Sequence, residues 1–263
     1  RFNVAHMLPP VCSELGDLGW DVQFCTVGEG RDNDINAIAG AACDRRADAV
    51  FVAGGDGSVG AAAAVLSGSG VAMGVLPCGT GNVWARGLGL AAPAHPWSAA
   101  LLSAALRQAK GSVRNVDLGS CNGRVFLQWA GVGLDGHIVR GVEPRGRIAR
   151  CFGRWHYIAR GVWLARSWRG ASMRLRGGNT GFEGEMLATV ATNVPAYAGG
   201  LATLEPEVRA QDGRLALWAF RGKGFGDALA QVARLLSGRH QVHRNVERVV
   251  AASFQLESEK ELP

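Results

Sequence analysis

Lysine is nearly absent from this chain. Of its 28 basic residues only Lys110, Lys223 and Lys260 are lysine. None stands in a Gly-Lys-Ser/Thr triplet, which excludes a Walker-type phosphate loop. Cysteine is sparse, and the six residues at 12, 25, 43, 78, 121 and 151 never fall in a C-x-x-C spacing, which argues against a ribbon-type zinc site or a redox pair. Their apolar contexts, such as Phe24-Cys25-Thr26, point to buried, reduced thiols. Charge is missing altogether over 57–85. That run is no membrane span: Ser67-Gly68-Ser69-Gly70 and Pro77 break it, and neither part reaches the ~20 apolar residues a spanning helix needs. No secretory signal pattern opens the sequence, so a cytoplasmic setting is expected.

What is present is a globular composition. The chain has 263 residues, 48% hydrophobic and 19% charged, which suffices for a packed core. Its net charge of +6 suits an anionic partner: nucleic acid, a lipid surface or a phosphorylated substrate. The 38 glycines imply many tight turns or close backbone approach to a ligand.

The first half alternates strand and helix. Strands are expected at 21–27, 49–53 and 71–76, the last two as apolar runs typical of buried parallel strands. Helices are expected at 34–46, 58–66 and 96–110. This order predicts an α/β N-terminal domain with a mainly parallel sheet. The second half reads as mainly antiparallel and β-rich. Asn122-Gly123 marks a hairpin between 113–118 and 125–129; Gly177-Gly178-Asn179 joins 172–175 to 185–192. Further strands are expected at 215–218 and 249–257. One helix interrupts them, with Phe225, Leu229, Val232 and Leu236 as its apolar face and Gly238 as its stop. The domains are drawn as 1–112 and 113–263.

Two turns carry the chemistry. The strand 49–53 runs into Gly54-Gly55-Asp56-Gly57-Ser58 and then a helix. Glycines at the carboxyl end of a buried strand let backbone N–H groups approach phosphate, and the helix N-terminus favours negative charge. An acid in such a turn serves to hold Mg²⁺ or to take a proton from an attacking hydroxyl, which singles out Asp56. One βαβ unit later, Gly79-Thr80-Gly81-Asn82 repeats the strand–turn–helix pattern. A right-handed crossover brings both turns to one sheet edge. There Thr80 and Asn82 are candidates to donate to phosphate or ribose oxygens. The pair is far more specific than either turn alone.

These motifs, with Leu76-Pro77-Cys78 before the second turn and Ala85-Arg86 after it, resemble the diacylglycerol kinase catalytic domain shared by sphingosine and ceramide kinases and bacterial lipid kinases. Val116-Asp117-Leu118-Gly119, Ala130-Gly131-Val132-Gly133-Leu134-Asp135 and Gly238-Arg239-His240 extend the resemblance. It implies ATP bound between a nucleotide-binding α/β domain and a β-rich domain, with Mg²⁺, and transfer of the γ-phosphoryl group to a lipid hydroxyl, with diacylglycerol as the expected acceptor. It also implies that Thr26 touches nucleotide and that Asp212-Gly213 resembles a loop holding a structural Mg²⁺. Departures are Ser58 for a usual Thr and Val83-Trp84 for Asp-Phe. The family's opening strand, and a closing Asp-Gly-Glu segment bearing a candidate general base, are expected outside this sequence. Phosphofructokinases would show Pro-Lys-Thr-x-Asp, and NAD kinases an Asn-Glu pair after the glycine turn; this chain has neither. Competing readings are a non-catalytic, nucleotide-responsive membrane module and a sphingosine-, ceramide- or NAD-kinase-like activity.

Residues 140–176 hold ten arginines and one acid, Glu143, among Trp155, Tyr157, Trp163 and Trp168. Arginine with tryptophan suits an anionic membrane surface, although the composition alone also fits nucleic acid. The expected partners are a lipid substrate and a membrane surface rather than nucleic acid, with a homodimer compatible. His240 and His243 lack a third ligand nearby and read as a cationic pair at a helix C-terminus.

Overall fold

The computed structural model describes residues 4–28, 34–90, 97–142 and 160–263. By packing, the chain divides into two compact units, Arg1–Leu127 and Gln128–Pro263. The hairpin after residue 112 therefore packs with the first unit.

In the first unit, α1 (Pro9–Asp17) starts at a proline, whose missing N–H costs nothing in a first helical turn. It buries Val11 and Leu15 and packs on α5 (Trp97–Ala109). Next come α2 (Ile35–Asp44), β1 (Ala49–Gly54), α3 (Asp56–Leu66), β2 (Ala72–Pro77) and α4 (Val83–Gly87). β1 and β2 are parallel, in register from Ala49↔Ala72 to Gly54↔Pro77. The expected parallel sheet is thus present, as two strands among the described residues.

Side chains explain where it stops. The amide of Gln108 on α5 occupies the outer edge of β2: Val75 N–H donates to its Oε1 at 2.8 Å, and its Nε2 donates to Val75 C=O at 2.9 Å. This imitates a neighbouring strand and satisfies the edge. On the other side, 21–27 was expected as a strand, but 21–28 is irregular and mostly exposed. It is tied down by side chains instead, with Arg45 donating to Gln23 and Trp20 packed edge-on against Phe51 at 6.0 Å. Local alternation alone cannot supply a ladder partner.

Asn122 and Gly123 both adopt positive φ, 48° and 77°, as a two-residue I′ hairpin turn requires. The turn was legible, but the strands are shorter than expected: β3 (Gly119–Cys121) and β4 (Arg124–Phe126), with 112–118 irregular. Phe126 lies over Gly119, where any Cβ would strike its ring.

The second unit is built on an antiparallel sheet, ordered β11 (Val246–Ala251), β10 (Leu215–Arg221), β7 (Thr180–Thr192), β6 (Ala171–Gly177) and β12 (Phe254–Ser258), with β5 (Trp129–Gly133) also on β7. β6 alternates strictly between buried Ala171, Met173, Leu175 and exposed Ser172, Arg174, Arg176. β7 alternates only where it pairs β6. From Met186 to Val190 every residue is buried, because over Ala188–Thr192 it lies between β5 and β10 with apolar clusters on both faces. The run 249–257, expected as one strand, bends at Ala252-Ser253 into β11 and β12. These pair with β10 and β6 respectively, so the sheet curls back on itself.

The α-helices of this unit among the described residues are α6 (Leu134–Val142), a helical segment over 160–165, and α7 (Phe225–Leu236). α7 ends at Gly238 with φ 72°, as expected of a left-handed stop. Of the described residues no helix is long and apolar enough to cross a membrane.

Candidate functional site

The two glycine turns meet backbone to backbone. A Cβ on Gly79 would lie 2.5 Å from Gly55 Cα, and one on Gly55 would lie 3.1 Å from Gly79 Cα. Nothing larger than hydrogen fits at Gly79 without moving the backbone, and at Gly55 a Cβ would fit only tightly. The ladder continues into the turns, with Cys78 N–H donating to Gly54 C=O at 3.0 Å.

Asn82 holds the second turn closed. It is buried, with φ 48° and ψ 42°, a left-handed conformation that asparagine tolerates better than most residues. Its Oδ1 accepts from Gly79 N–H and its Nδ2 donates to Gly79 C=O, both at 2.8 Å. The side chain expected to face a ligand is therefore engaged in forming the loop. Thr80 is exposed at the tip of that loop.

Asp56 opens α3, with extended Gly55 as the preceding cap. Its Oδ1 accepts from Trp84 N–H, in the first turn of α4, at 3.1 Å. One carboxylate thus joins the N-terminal ends of two helices. The Val83-Trp84 departure is part of this: Val83, Trp84 and Ala85 are all buried, and the backbone N–H of Trp84 makes the bond. Sequence reading missed this contact because a backbone donor leaves no signature in residue type. Gly57 is exposed, and a Cβ there would meet nothing within 4 Å. The first N–H groups of α3 have no intrahelical acceptor, so Gly57 and Ser58 present donors beside open space. Burial pushes the Cys78 thiol up to about 11, which keeps it protonated and inert at neutral pH.

Thr26 lies exposed in the irregular 21–28 segment. Asp212 is an exposed turn residue whose Oδ1 accepts from Arg214 N–H at 3.0 Å, beside Gly213 at φ 67°. The turn lines a small cavity together with Glu205, Glu207, Arg214 and Arg248. Glu205 has a side chain only 3% exposed, and Arg248 Nε sits 2.5 Å from its carboxylate. That guanidinium occupies the place beside the acid that a cation would take. Among the described residues no three His, Cys, Asp or Glu side chains gather in a metal-holding arrangement.

The second unit carries a pair that motif reading did not assign. Tyr197 OH donates to Asp135 Oδ1, and Tyr197 packs edge-on against Trp129 at 5.5 Å. Gly131 makes room for the acid, since a Cβ there would overlap Asp135 Oδ2 at 1.8 Å. Burial pushes the Asp135 carboxyl up, and the tyrosine hydrogen bond partly offsets this. The two histidines do not act as a pair. His240 is fully buried, with Nε2 2.9 Å from Leu204 C=O and its ring edge-on to Trp218. His243 is only half-buried, and partial burial with the nearby charges of Arg234 and Arg244 holds its imidazole below the ordinary range. The cysteines are also less buried than expected, since Cys25 and Cys121 are exposed.

Comparison with known proteins gives a consistent result. Residues 4–121 match the model of the diacylglycerol kinase catalytic domain. A diacylglycerol kinase of Bacillus subtilis (strain 168) is 26% identical over 209 residues, covering 79% of this chain and 66% of that protein. A probable lipid kinase YegS-like of Pseudomonas aeruginosa (strain UCBPP-PA14) is 30% identical over 186 residues, covering 70% of this chain and 58% of that protein. The matched part of the chain therefore spans less than two thirds of each of these relatives. A solved structure of a diacylglycerol kinase from Bacillus anthracis str. Sterne shares the fold with TM-score 0.61 at 19% identity, covering 89% of this chain and 73% of that one. With the paired glycine turns meeting as described, residues 4–121 carry the match to the diacylglycerol kinase catalytic domain, and over most of its length the chain is similar to bacterial diacylglycerol and lipid kinases.

Proposed function

We propose that this protein is an ATP-dependent lipid kinase that transfers a phosphoryl group to a lipid hydroxyl, with diacylglycerol as the acceptor and phosphatidic acid as the product. The observation that carries this reading is the Gly55–Gly79 contact, which brings two turns together beside the open N-terminus of α3. The donor set fits a nucleotide phosphate: uncharged backbone N–H groups of Gly57 and Ser58 at a helix N-terminus, the exposed Thr80 hydroxyl, and no side chain in the way. ATP would supply the phosphoryl group, and Mg²⁺ would neutralise charge as it moves.

This chain's own residues have distinct roles in the proposal. Gly54, Gly55 and Gly79 permit the close approach of the turns. Gly57, Ser58, Thr80 and Gly81 line the phosphate position. Asn82 fixes the loop from inside. Asp56 holds the cation or takes the proton of the acceptor hydroxyl, while its bond to Trp84 N–H orients it. A protein cage is not needed for a cation that shares its shell with phosphate oxygens and water. The resemblance also assigns Thr26 to the nucleotide and Asp212 to a structural Mg²⁺, and both assignments remain part of the proposal.

A lipid acceptor requires the enzyme to work at a membrane surface. Of the basic stretch 140–176, residues 143–159 lie outside the described residues. The described part supports a peripheral contact: Trp163 is 57% exposed, with the Arg160 guanidinium 4.8 Å from its ring centre. Incubation with labelled ATP, Mg²⁺ and a panel of lipid alcohols tests the reading. Labelled phosphatidic acid is expected; label on sphingosine or ceramide alone would move the acceptor to another class.

A further inference from the structure

The apolar stripe of α7 is the most conspicuous unused feature of the second unit. Leu229, Val232 and Leu236 recur at helical spacing along its apolar face. The structure turns Ala228, Gln231 and Leu235 inward instead. The stripe stays uncovered, with Leu229 43%, Val232 46% and Leu236 59% exposed. Val242, in the turn that follows, is 90% exposed. Isolated exposed apolar residues are ordinary, but an uncovered contiguous stripe marks a contact surface.

Charge decides what covers it. From Ala228 to Asn245 the sequence holds Arg234, Arg239 and Arg244 and no carboxylate. None of the three arginines forms an ion pair with a carboxylate among the described residues. Arg234 stands in the last turn of α7, Arg239 and Arg244 follow its end, and the charges of Arg234 and Arg244 contribute to lowering His243. A bare cationic helix end would be explained by the helix dipole alone. That effect gives no reason for leaving three large aliphatic side chains in water beside it. An amphipathic helix lying in the plane of an anionic bilayer needs both features, apolar side chains to enter the acyl boundary and arginines to meet lipid phosphates. The N-terminal end of α7 is continuous with the arginine-rich segment, since Arg166 lies 5.6 Å from the ring centre of Phe225.

We propose that α7 and the turn after it form a membrane-docking surface that inserts Leu229, Val232, Leu236 and Val242 into an anionic lipid surface while Arg234, Arg239 and Arg244 engage lipid phosphates. The proposal rests on residues of the second unit alone and is tested without nucleotide or turnover, so its failure leaves the kinase reading untouched.

The experiment is vesicle co-sedimentation of the protein with phosphatidylcholine alone and with phosphatidylcholine–phosphatidylglycerol mixtures, at low and high salt. Wild type is expected to bind the mixed vesicles and to release at high salt. Leu229→Gln/Leu236→Gln is expected to weaken binding at least tenfold. Arg234→Gln/Arg239→Gln/Arg244→Gln is expected to weaken it about a hundredfold, from about fivefold per arginine near an anionic surface. All five positions except Arg234 are exposed and Arg234 is half-buried, so both variants should keep the wild-type thermal transition, which is measured alongside. No vesicle binding by wild type, or unchanged binding by both variants, overturns the proposal. A wild-type dimer in light scattering that Leu229→Gln/Leu236→Gln converts to monomer, with vesicle binding unchanged, also overturns it. That result would assign the stripe to a second copy of the chain.

Discussion

Two glycines in adjacent turns should respond oppositely to the same methyl group. Gly79→Ala would put a Cβ 2.5 Å from Gly55 Cα and 2.9 Å from Asn82 Oδ1. Carbon–carbon contacts sit at about 3.5–4.0 Å, so the turns must part by about 1 Å. Both obstacles are rigid, one being backbone and the other a doubly bonded amide. Overpacking of this kind costs about 1–3 kcal/mol. Displacing Gly79 also strains its two bonds with Asn82, each worth about 1 kcal/mol. The sum, about 2–4 kcal/mol, should lower Tm by on the order of 10 °C. Gly57→Ala meets no atom within 4 Å and lies in the first turn of α3 at an ordinary helical φ. It should leave stability unchanged or raise it by about 0.5 kcal/mol. Yet its methyl group projects into the space assigned to phosphate, so ATP affinity should fall at least about tenfold, or about 1.4 kcal/mol. Thermal unfolding and calorimetric titration with MgATP separate the two effects. If Gly57→Ala binds ATP as wild type does, and Gly79→Ala melts with it, the glycine turns are ordinary connections and the site is misplaced.

Other predictions follow from single contacts. Asn82→Ala should lose about 2–4 kcal/mol in chemical denaturation, since it removes two buried bonds and puts a Cβ-bearing residue without a compensating amide at φ 48°; Asn82→Gly should recover the conformational part only. Arg248→Ala should cost about 3 kcal/mol or more, because it strands the buried Glu205 carboxylate. Cys25 and Cys121 should be alkylated at neutral pH well before Cys78, whose thiol is pushed up to about 11; mass mapping of a brief iodoacetamide reaction reads this directly. The Asp135 carboxyl is raised in the folded state, so its contribution is most favourable at acidic pH and is lost as pH climbs through the folded value. Asp135→Asn, which keeps an acceptor for Tyr197, should therefore gain stability relative to wild type as pH rises from acid to neutral, read from denaturation midpoints across that range.

How much was legible in the sequence depended on whether the signal was local. Asn122-Gly123 and Gly238 announced their turns because positive φ selects few residue types. The two glycine turns were legible for a different reason, close backbone approach that leaves no room for a side chain, together with the handedness that places them on one edge. What failed needed partners. The 21–28 segment alternates like a strand, but no local pattern shows whether a ladder lies beside it. The 249–257 run reads as one strand because the bend at Ala252-Ser253 depends on which strands flank it. On α7 the periodicity correctly marks a helix, but it does not say which face is covered: Phe225, Ala228 and Gln231 are turned inward while Leu229, Val232 and Leu236 stay exposed. Asn82 illustrates the limit at the site itself. Its residue type suggests a ligand donor but not the left-handed backbone and the two bonds that tie its amide to Gly79.

The most direct test of the central claim is phosphoryl transfer from labelled ATP to diacylglycerol by wild type and by Asp56→Asn. The asparagine keeps an oxygen acceptor for Trp84 N–H, so the fold should survive, with Tm within a few degrees of wild type, while the charge is removed. The account predicts labelled phosphatidic acid from wild type and a loss of at least about a hundredfold in the variant, the range expected for a lost acid–base group. Transfer by Asp56→Asn at the wild-type rate would contradict it.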